Sequence, residues 1–352
     1  MSRFMSGRFA ELKAYVPGEQ PRHKSYIKLN TNESPYPPAP QVIAAINSRE
    51  VEDLRLYSDP ECKFLREALA EHYNVFPKNI FVGNGSDEIL SFAFMAFCDK
   101  DTGVSYPDIS YGFYSVFADL YNIAKKEIPL RKDFTICAKD YCGSGTTVVI
   151  ANPNAPTGIC LSIEDIDYIV SSNPDNVVVI DEAYIDFGGE SCISLIKKYD
   201  NLLVVHTYSK SRSFAGGRLG YAVGSEELIA DLDKLRYCTN PYNVNRLTLL
   251  AGKAALEAQE YYDNNNRNII RMREYSSIKL RELGFELTDS KANFIFVRHS
   301  KLGGKELYLG LRDRGILVRY FEKPRISEYL RISIGTKEEM DTMVNSLKEM
   351  LD

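Results

Sequence analysis

The stretches NVVVIDEAYIDF at 176–187 and NLLVVHTYSKSRSFAGGRLGY at 201–221 contain two runs, VVVI and LLVV, without polar alternation. A strand with one wet face alternates. A strand buried on both faces does not, and that is the texture of a parallel sheet covered by helices on either side. Four further runs are candidate strands: IFVG at 80–83, GVSY at 103–106, TVVIAN at 147–152 and LGYAVG at 219–224. Longer amphipathic stretches separate them from about residue 62 to 225. The pattern predicts an α/β core with a mainly parallel sheet between helices.

Further along, the texture changes. Residues 246–285 read as a long helical stretch, with Asn264-Asn265-Asn266 its weakest point and the expected hinge region. Beyond it ANFIFVRH, GILVRYF and YLRISIG predict three short strands, and KEEMDTMVNSLKEML predicts a closing amphipathic helix with Thr336 and Glu339 in a capping box. These make a smaller α+β domain. The first 60 residues carry the turn-rich NESPYPPAP and little periodicity, as an arm draped over the core would. A chain of 352 residues exceeds what one growing core supports. The expected division is an arm over 1–34 packing with the small domain, a large domain over 35–250 and a small domain over 251–352.

Composition removes several function classes. The 43 basic residues are scattered among 48 acidic ones for a net charge of −5, without the basic block that nucleic acid attracts. No apolar run approaches the roughly 18 to 20 residues of a membrane span. The start, MSRFMSGRFAELKAY, lacks the apolar segment of a secretory signal. Seven cysteines, an odd number without a C-x-x-C pair, read as reduced thiols and a cytoplasmic chain. The four histidines lie far apart at no ligand spacing, so no catalytic metal is expected.

In open α/β sheets ligands sit beyond the carboxyl ends of the strands, so the residues following each strand carry the chemistry. After the first comes GNGSDE, where Gly83 and Gly85 allow a tight turn and Ser86-Asp87 open a helix whose free N–H groups suit an anion. ANPNAPTG at 151–158 is a rigid loop that holds the amides of Asn152 and Asn154 at the sheet edge. Asp181 follows VVVI, where a buried carboxylate needs a positive neighbour unless it serves as a helix cap. Lys210 follows LLVVHTYS, away from any solvated helix face, with Arg218 eight residues later among glycines. An amine, a carboxylate, amides, the hydroxyls of Tyr184 and Tyr111, and a serine-arginine-helix cradle are together what pyridoxal 5′-phosphate (PLP) chemistry asks for.

NPNAPTG, DEAY and SKSRSFAGGRLGY in this order, with Lys210 29 residues after Asp181, resemble the fold-type I PLP-dependent aminotransferases over nearly the whole chain. LNTNESPYPPAP, RLYSDP, GNGSDEIL, SYGFYS and LRISIGT are most similar to the histidinol-phosphate aminotransferase family. The same scaffold serves aromatic amino-acid aminotransferases and threonine-phosphate decarboxylases, which these motifs do not separate. The resemblance implies Lys210 as the Schiff-base lysine and proton shuttle, Asp181 on the pyridine nitrogen, Tyr184 on the phenolic oxygen and Tyr111 stacked on the ring. It puts the cofactor phosphate on Gly85, Ser86, Asp87, Ser209 and Arg218, with Tyr57 reaching over from the second subunit of a homodimer. It assigns Tyr15, Asn293, Arg319 and Arg331 to the substrate phosphate and 2-oxoglutarate to the second half-reaction. One position departs: Ala155 stands where the family commonly has an asparagine that bonds the phenolic oxygen. Asn154 is the expected substitute, with Asn152 the alternative.

Overall fold

A computed structural model describes residues 4–9, 11–20 and 26–352. Its strands are β1 (Ile27–Lys28), β2 (Ile80–Gly83), β3 (Val104–Pro107), β4 (Lys125–Ile128), β5 (Thr147–Ala151), β6 (Val178–Asp181), β7 (Leu202–Thr207), β8 (Gly220–Val223), β9 (Glu286–Leu287), β10 (Phe294–Arg298), β11 (Ile316–Leu317), β12 (Arg319–Tyr320) and β13 (Tyr329–Ser333). The helices are α1 (Pro40–Ala45), α2 (Ser48–Glu52), α3 (Lys63–Tyr73), α4 (Ser86–Phe97), α5 (Phe113–Tyr121), α6 (Ile163–Ser171), α7 (Glu226–Thr239), α8 (Arg246–Glu257), α9 (Gln259–Glu282), α10 (Gly304–Asp313) and α11 (Lys337–Leu351).

Seven strands form the large sheet in the order β2-β8-β7-β6-β5-β3-β4. Residues of β5, β6 and β7 alternate between two cores. Val148, Ile150, Ile180 and Val204 meet α3, α6 and α8 on one face. Val149, Val179, Leu203 and Val205 meet α4, α5 and α7 on the other. The absence of polar alternation in the sequence has this cause, because both faces are covered. The same alternation sends Asp181 and Glu182 to opposite faces.

Two details of this sheet differ from expectation. β8 runs antiparallel to both β2 and β7, and an apolar run carries no sign of strand direction. β4 was not anticipated: its Lys125, Lys126 and Glu127 are exposed and only Ile128 is buried, as suits an edge strand protected by charge.

A second, antiparallel sheet, β12-β13-β10-β9, lies against α9, α10 and α11 around Ile295, Leu330, Ile332 and Met340. Here GILVRYF, expected as one strand, is divided. Ile316–Leu317 pair with β1 of the arm, and Arg319–Tyr320 pair with β13. α11 starts on the expected capping box, Thr336 Oγ1 accepting from Glu339 N–H while the Glu339 carboxylate accepts from Thr336 N–H. Within the expected helical stretch of 246–285, the weak point is not at Asn264–Asn266. The chain breaks at Ala258 between α8 and α9, and the asparagines lie inside α9 with Asn265 and Asn266 buried, where packing overrides their poor helix propensity.

Candidate active site

β2 delivers the chain to Gly83, and Gly85 turns it at φ +83° so that α4 can begin at Ser86. That φ strains any other residue, and a Cβ at 85 would stand 2.8 Å from Arg218 Nη2 and displace the guanidinium. Arg218, itself left-handed at φ +55°, donates through Nη2 to Asp87 Oδ2 at 3.3 Å. Tyr111 donates to Asp87 Oδ1 at 2.7 Å. The free N–H groups of α4, one guanidinium and the hydroxyl groups of Ser86 and Ser209 thus line one end of a cavity of about 410 Å³.

Asp181 closes the floor of that cavity from the end of β6, 4% exposed. Its carboxylate accepts from Tyr114 Oη at 2.9 Å and from Ala183 N–H at 3.2 Å, neither donor a cation. Burial pushes its pKa up to about 6 from 3.8, even though both hydrogen bonds pull the other way. Lys210 is half-buried opposite. Its Nζ donates to Thr31 O at 3.3 Å and lies 5.7 Å from the centre of the Tyr184 ring.

Tyr184 packs edge-on against Phe294 at 5.1 Å, with Ala155 and Ala292 beside it. Its hydroxyl accepts from Asn32 Nδ2 at 3.0 Å. Asn154, the expected substitute for the missing amide, is bonded to neighbouring loop groups. Its Nδ2 donates to Ile109 O and Thr157 Oγ1, its Oδ1 accepts from Ser110, and it does not line the cavity. Asn152 is likewise spent on both main-chain groups of Leu161. These amides brace the loop, and it is the Ala155 methyl group that reaches the cavity.

The structure does not bring the remaining expected residues equally close. Tyr57 is 82% exposed, stacked on Tyr242 at 4.5 Å, and does not line its own chain's cavity. Tyr15 packs on Phe113 at 4.3 Å. Arg319 donates to Val16 O and Pro17 O at 3.0 and 3.3 Å, so it fastens the arm to the small sheet. Arg331 donates to Asn30 O at 2.9 Å, and its buried Nε has no partner. Burial lowers the Arg331 pKa, and the charge of Arg319 adds to that. The two guanidinium groups lie 5.6 and 5.7 Å from one ring, that of Phe321. Asn293 is fully buried, with Nδ2 on Asn32 O at 3.0 Å and Oδ1 without a partner.

Two residues escaped the sequence reading. Tyr114, in the first turn of α5, stands three residues after Tyr111 and is fully buried, but among 23 tyrosines nothing marks it. Asn32, inside the quoted LNTNESPY, reaches the site only through tertiary packing.

The family model for aminotransferase class I and II matches residues 24–347. Over its full length the chain is 50% identical to the histidinol-phosphate aminotransferase of Brachyspira hyodysenteriae, covering 99% of that protein. It is 48% identical to that of Clostridium acetobutylicum, with all of both chains covered. A solved structure of histidinol-phosphate aminotransferase from Sinorhizobium meliloti, in complex with pyridoxal-5′-phosphate, superposes with a TM-score of 0.87 at 25% identity over 99% of each chain.

Proposed function

The chain belongs to the class I and II aminotransferase family, and from that premise we propose that it moves the amino group of L-histidinol phosphate to 2-oxoglutarate, using PLP, in histidine biosynthesis. The observation that carries the cofactor assignment is Asp181, a buried carboxylate bonded by two neutral donors and facing a cavity with Lys210 across it. A protonated pyridine nitrogen is the cation it lacks. The cradle at Gly85 and Arg218 suits a phosphate, and a Cβ at 85 would push the Arg218 guanidinium out of place.

When bound, PLP supplies an aldehyde for the substrate amine and a ring that takes up the electron pair released at the substrate α-carbon. Lys210 Nζ would hold the aldehyde of the group and, when free, would serve as the base that moves the substrate α-proton. Asp181 would keep the pyridine nitrogen protonated. Tyr184 would bond the phenolic oxygen, Tyr111 would stack on the ring, and Ser86, Asp87, Ser209 and Arg218 would hold the phosphate.

The substrate reading rests on the named activity of the relatives and on Arg331, whose Nε has no partner and whose guanidinium shares the Phe321 ring with that of Arg319. Such a pair suits a phosphate in one half-reaction and a carboxylate in the other. Tyr15 and Asn293 complete that wall, Asn293 through the backbone it braces. Glutamate formation from 2-oxoglutarate with histidinol phosphate, histidinol, phenylalanine or threonine phosphate as donor tests it. Histidinol phosphate should exceed the others by at least tens of fold in kcat/KM. Phenylalanine ahead of it, or carbon dioxide released from threonine phosphate, contradicts the assignment.

The assembly is a cytoplasmic homodimer in this reading. Ile43, Val51, Leu54 and Leu56 are exposed apolar side chains in the segment leading to Tyr57, which does not line its own chain's cavity, and all seven cysteines are free. The arm over 1–34 belongs with the small domain, supported by β1 on β11 and by Leu29 in its core. The division between large and small domains is best placed at Ala258 rather than 250, because Ala251, Ala254 and Leu256 of α8 pack into the large core.

A further inference from the structure

We infer that Asn32 is a positioning residue that commits the Tyr184 hydroxyl proton to the phenolic oxygen of the cofactor, an inference that rests on the PLP reading above. A tyrosine hydroxyl can accept and can donate its single proton. Asn32 Nδ2 fills the accepting side at 3.0 Å, so the proton is left to point into the cavity.

Asn32 Oδ1 accepts from Ser333 Oγ at 2.9 Å, which turns Nδ2 toward Tyr184. Its backbone is held at φ +55° by N–H donation to Ser333 Oγ at 2.8 Å and by Asn293 Nδ2 on its carbonyl. Asn293 and Ser333 therefore act through Asn32, two steps from the cavity. Beside Tyr184, Ala155 presents only a methyl group, and the amides of Asn152 and Asn154 are bonded elsewhere. An amide donating directly to the phenolic oxygen is thus replaced by an amide acting through a tyrosine. The charged and titratable groups that line the cavity with Tyr184 are Glu33, Asp87, Tyr111, Asp181, Lys210 and Arg218, and Arg331 and Tyr114 act on Tyr184 electrostatically from outside the lining.

The test is a pH titration of the visible absorbance of enzyme-bound PLP without substrate, which reports the ionisation that the phenolic oxygen governs. Asn32→Gly keeps the left-handed backbone and both main-chain links and removes the amide. Asn32→Asp keeps the size and the Ser333 contact but turns the donor into an acceptor that draws the Tyr184 proton away. Both should raise the midpoint, Asn32→Asp by about one unit or more, the tenfold change expected when a charge-assisted hydrogen bond is lost. In a Tyr184→Phe background, Asn32→Gly should add no further shift.

Midpoints equal to wild type in both variants overturn the inference, and so does a Gly shift that persists undiminished without the tyrosine hydroxyl. If Asn32→Gly does not fold, Asn32→Asp alone decides. A wild-type chain that takes up no PLP would instead overturn the underlying reading.

Discussion

The hydroxyl of Tyr114, fully buried, donates to Asp181 Oδ2 at 2.9 Å beneath the cavity floor. Burial still dominates, holding the Asp181 pKa at about 6. A carboxyl raised in the folded state binds its proton more tightly there than in the unfolded chain. The fold is therefore favoured at low pH, and loses that advantage as pH rises from about 4 to about 6. At neutral pH the loss amounts to about 3 kcal/mol, roughly two pKa units at 1.4 kcal/mol each. Thermal melts of the cofactor-free chain across that window should show the slope in wild type and not in Asp181→Asn. The variant should be the more stable of the two at pH 7 and have a kcat lower by on the order of a hundredfold. Coincident melting profiles would contradict the assignment.

Tyr114→Phe removes one oxygen atom and little volume. Asp181 then loses its strongest donor, so its pKa rises further and the melting slope moves to higher pH. We expect kcat to fall about tenfold with KM little changed, the signature of an interaction felt mainly in the transition state. A variant with raised KM and unchanged kcat would show Tyr114 serving packing alone.

Arg331 and Arg319 should separate experimentally. Arg331→Lys keeps the charge but loses the fork, and should lower kcat/KM for histidinol phosphate and for 2-oxoglutarate together, by about tenfold or more. Arg319→Ala frees the carbonyl groups of Val16 and Pro17 and should speed amide exchange across residues 15–20, which Arg331→Lys should leave unchanged. Equal exchange in both variants would remove Arg319 from the arm.

Tyr57 is the test of the dimer. Once Tyr57→Phe alone is shown to impair turnover, Lys210→Ala protomers mixed with Tyr57→Phe protomers should form heterodimers with one intact site, and activity should partly return. No recovery despite proven subunit exchange means that each site is built within one chain.

The large sheet was legible because burial on both faces writes itself into VVVI and LLVV, and several residues of the candidate cavity were legible because they follow those strands directly. What the sequence hid has one physical cause, the placement of polar partners by tertiary packing. The charged edge strand at 125–128 has no apolar signal, and β8 carries none of its direction. Asn154 and Asn152 looked like site amides, yet a rigid loop needs its own braces, and proline-rich spacing cannot tell a brace from a ligand. Asn32 and Tyr114 act from 152 and 67 residues away from their partners, distances at which no local pattern exists.

The central claim is that Lys210 carries the cofactor. Reduction of the PLP-loaded protein with borohydride, followed by digestion and mass analysis, should find the pyridoxyl group on the peptide containing Lys210, and Lys210→Ala should carry none. The group on another lysine, or an unlabelled Lys210 in a protein that binds PLP, would contradict the account.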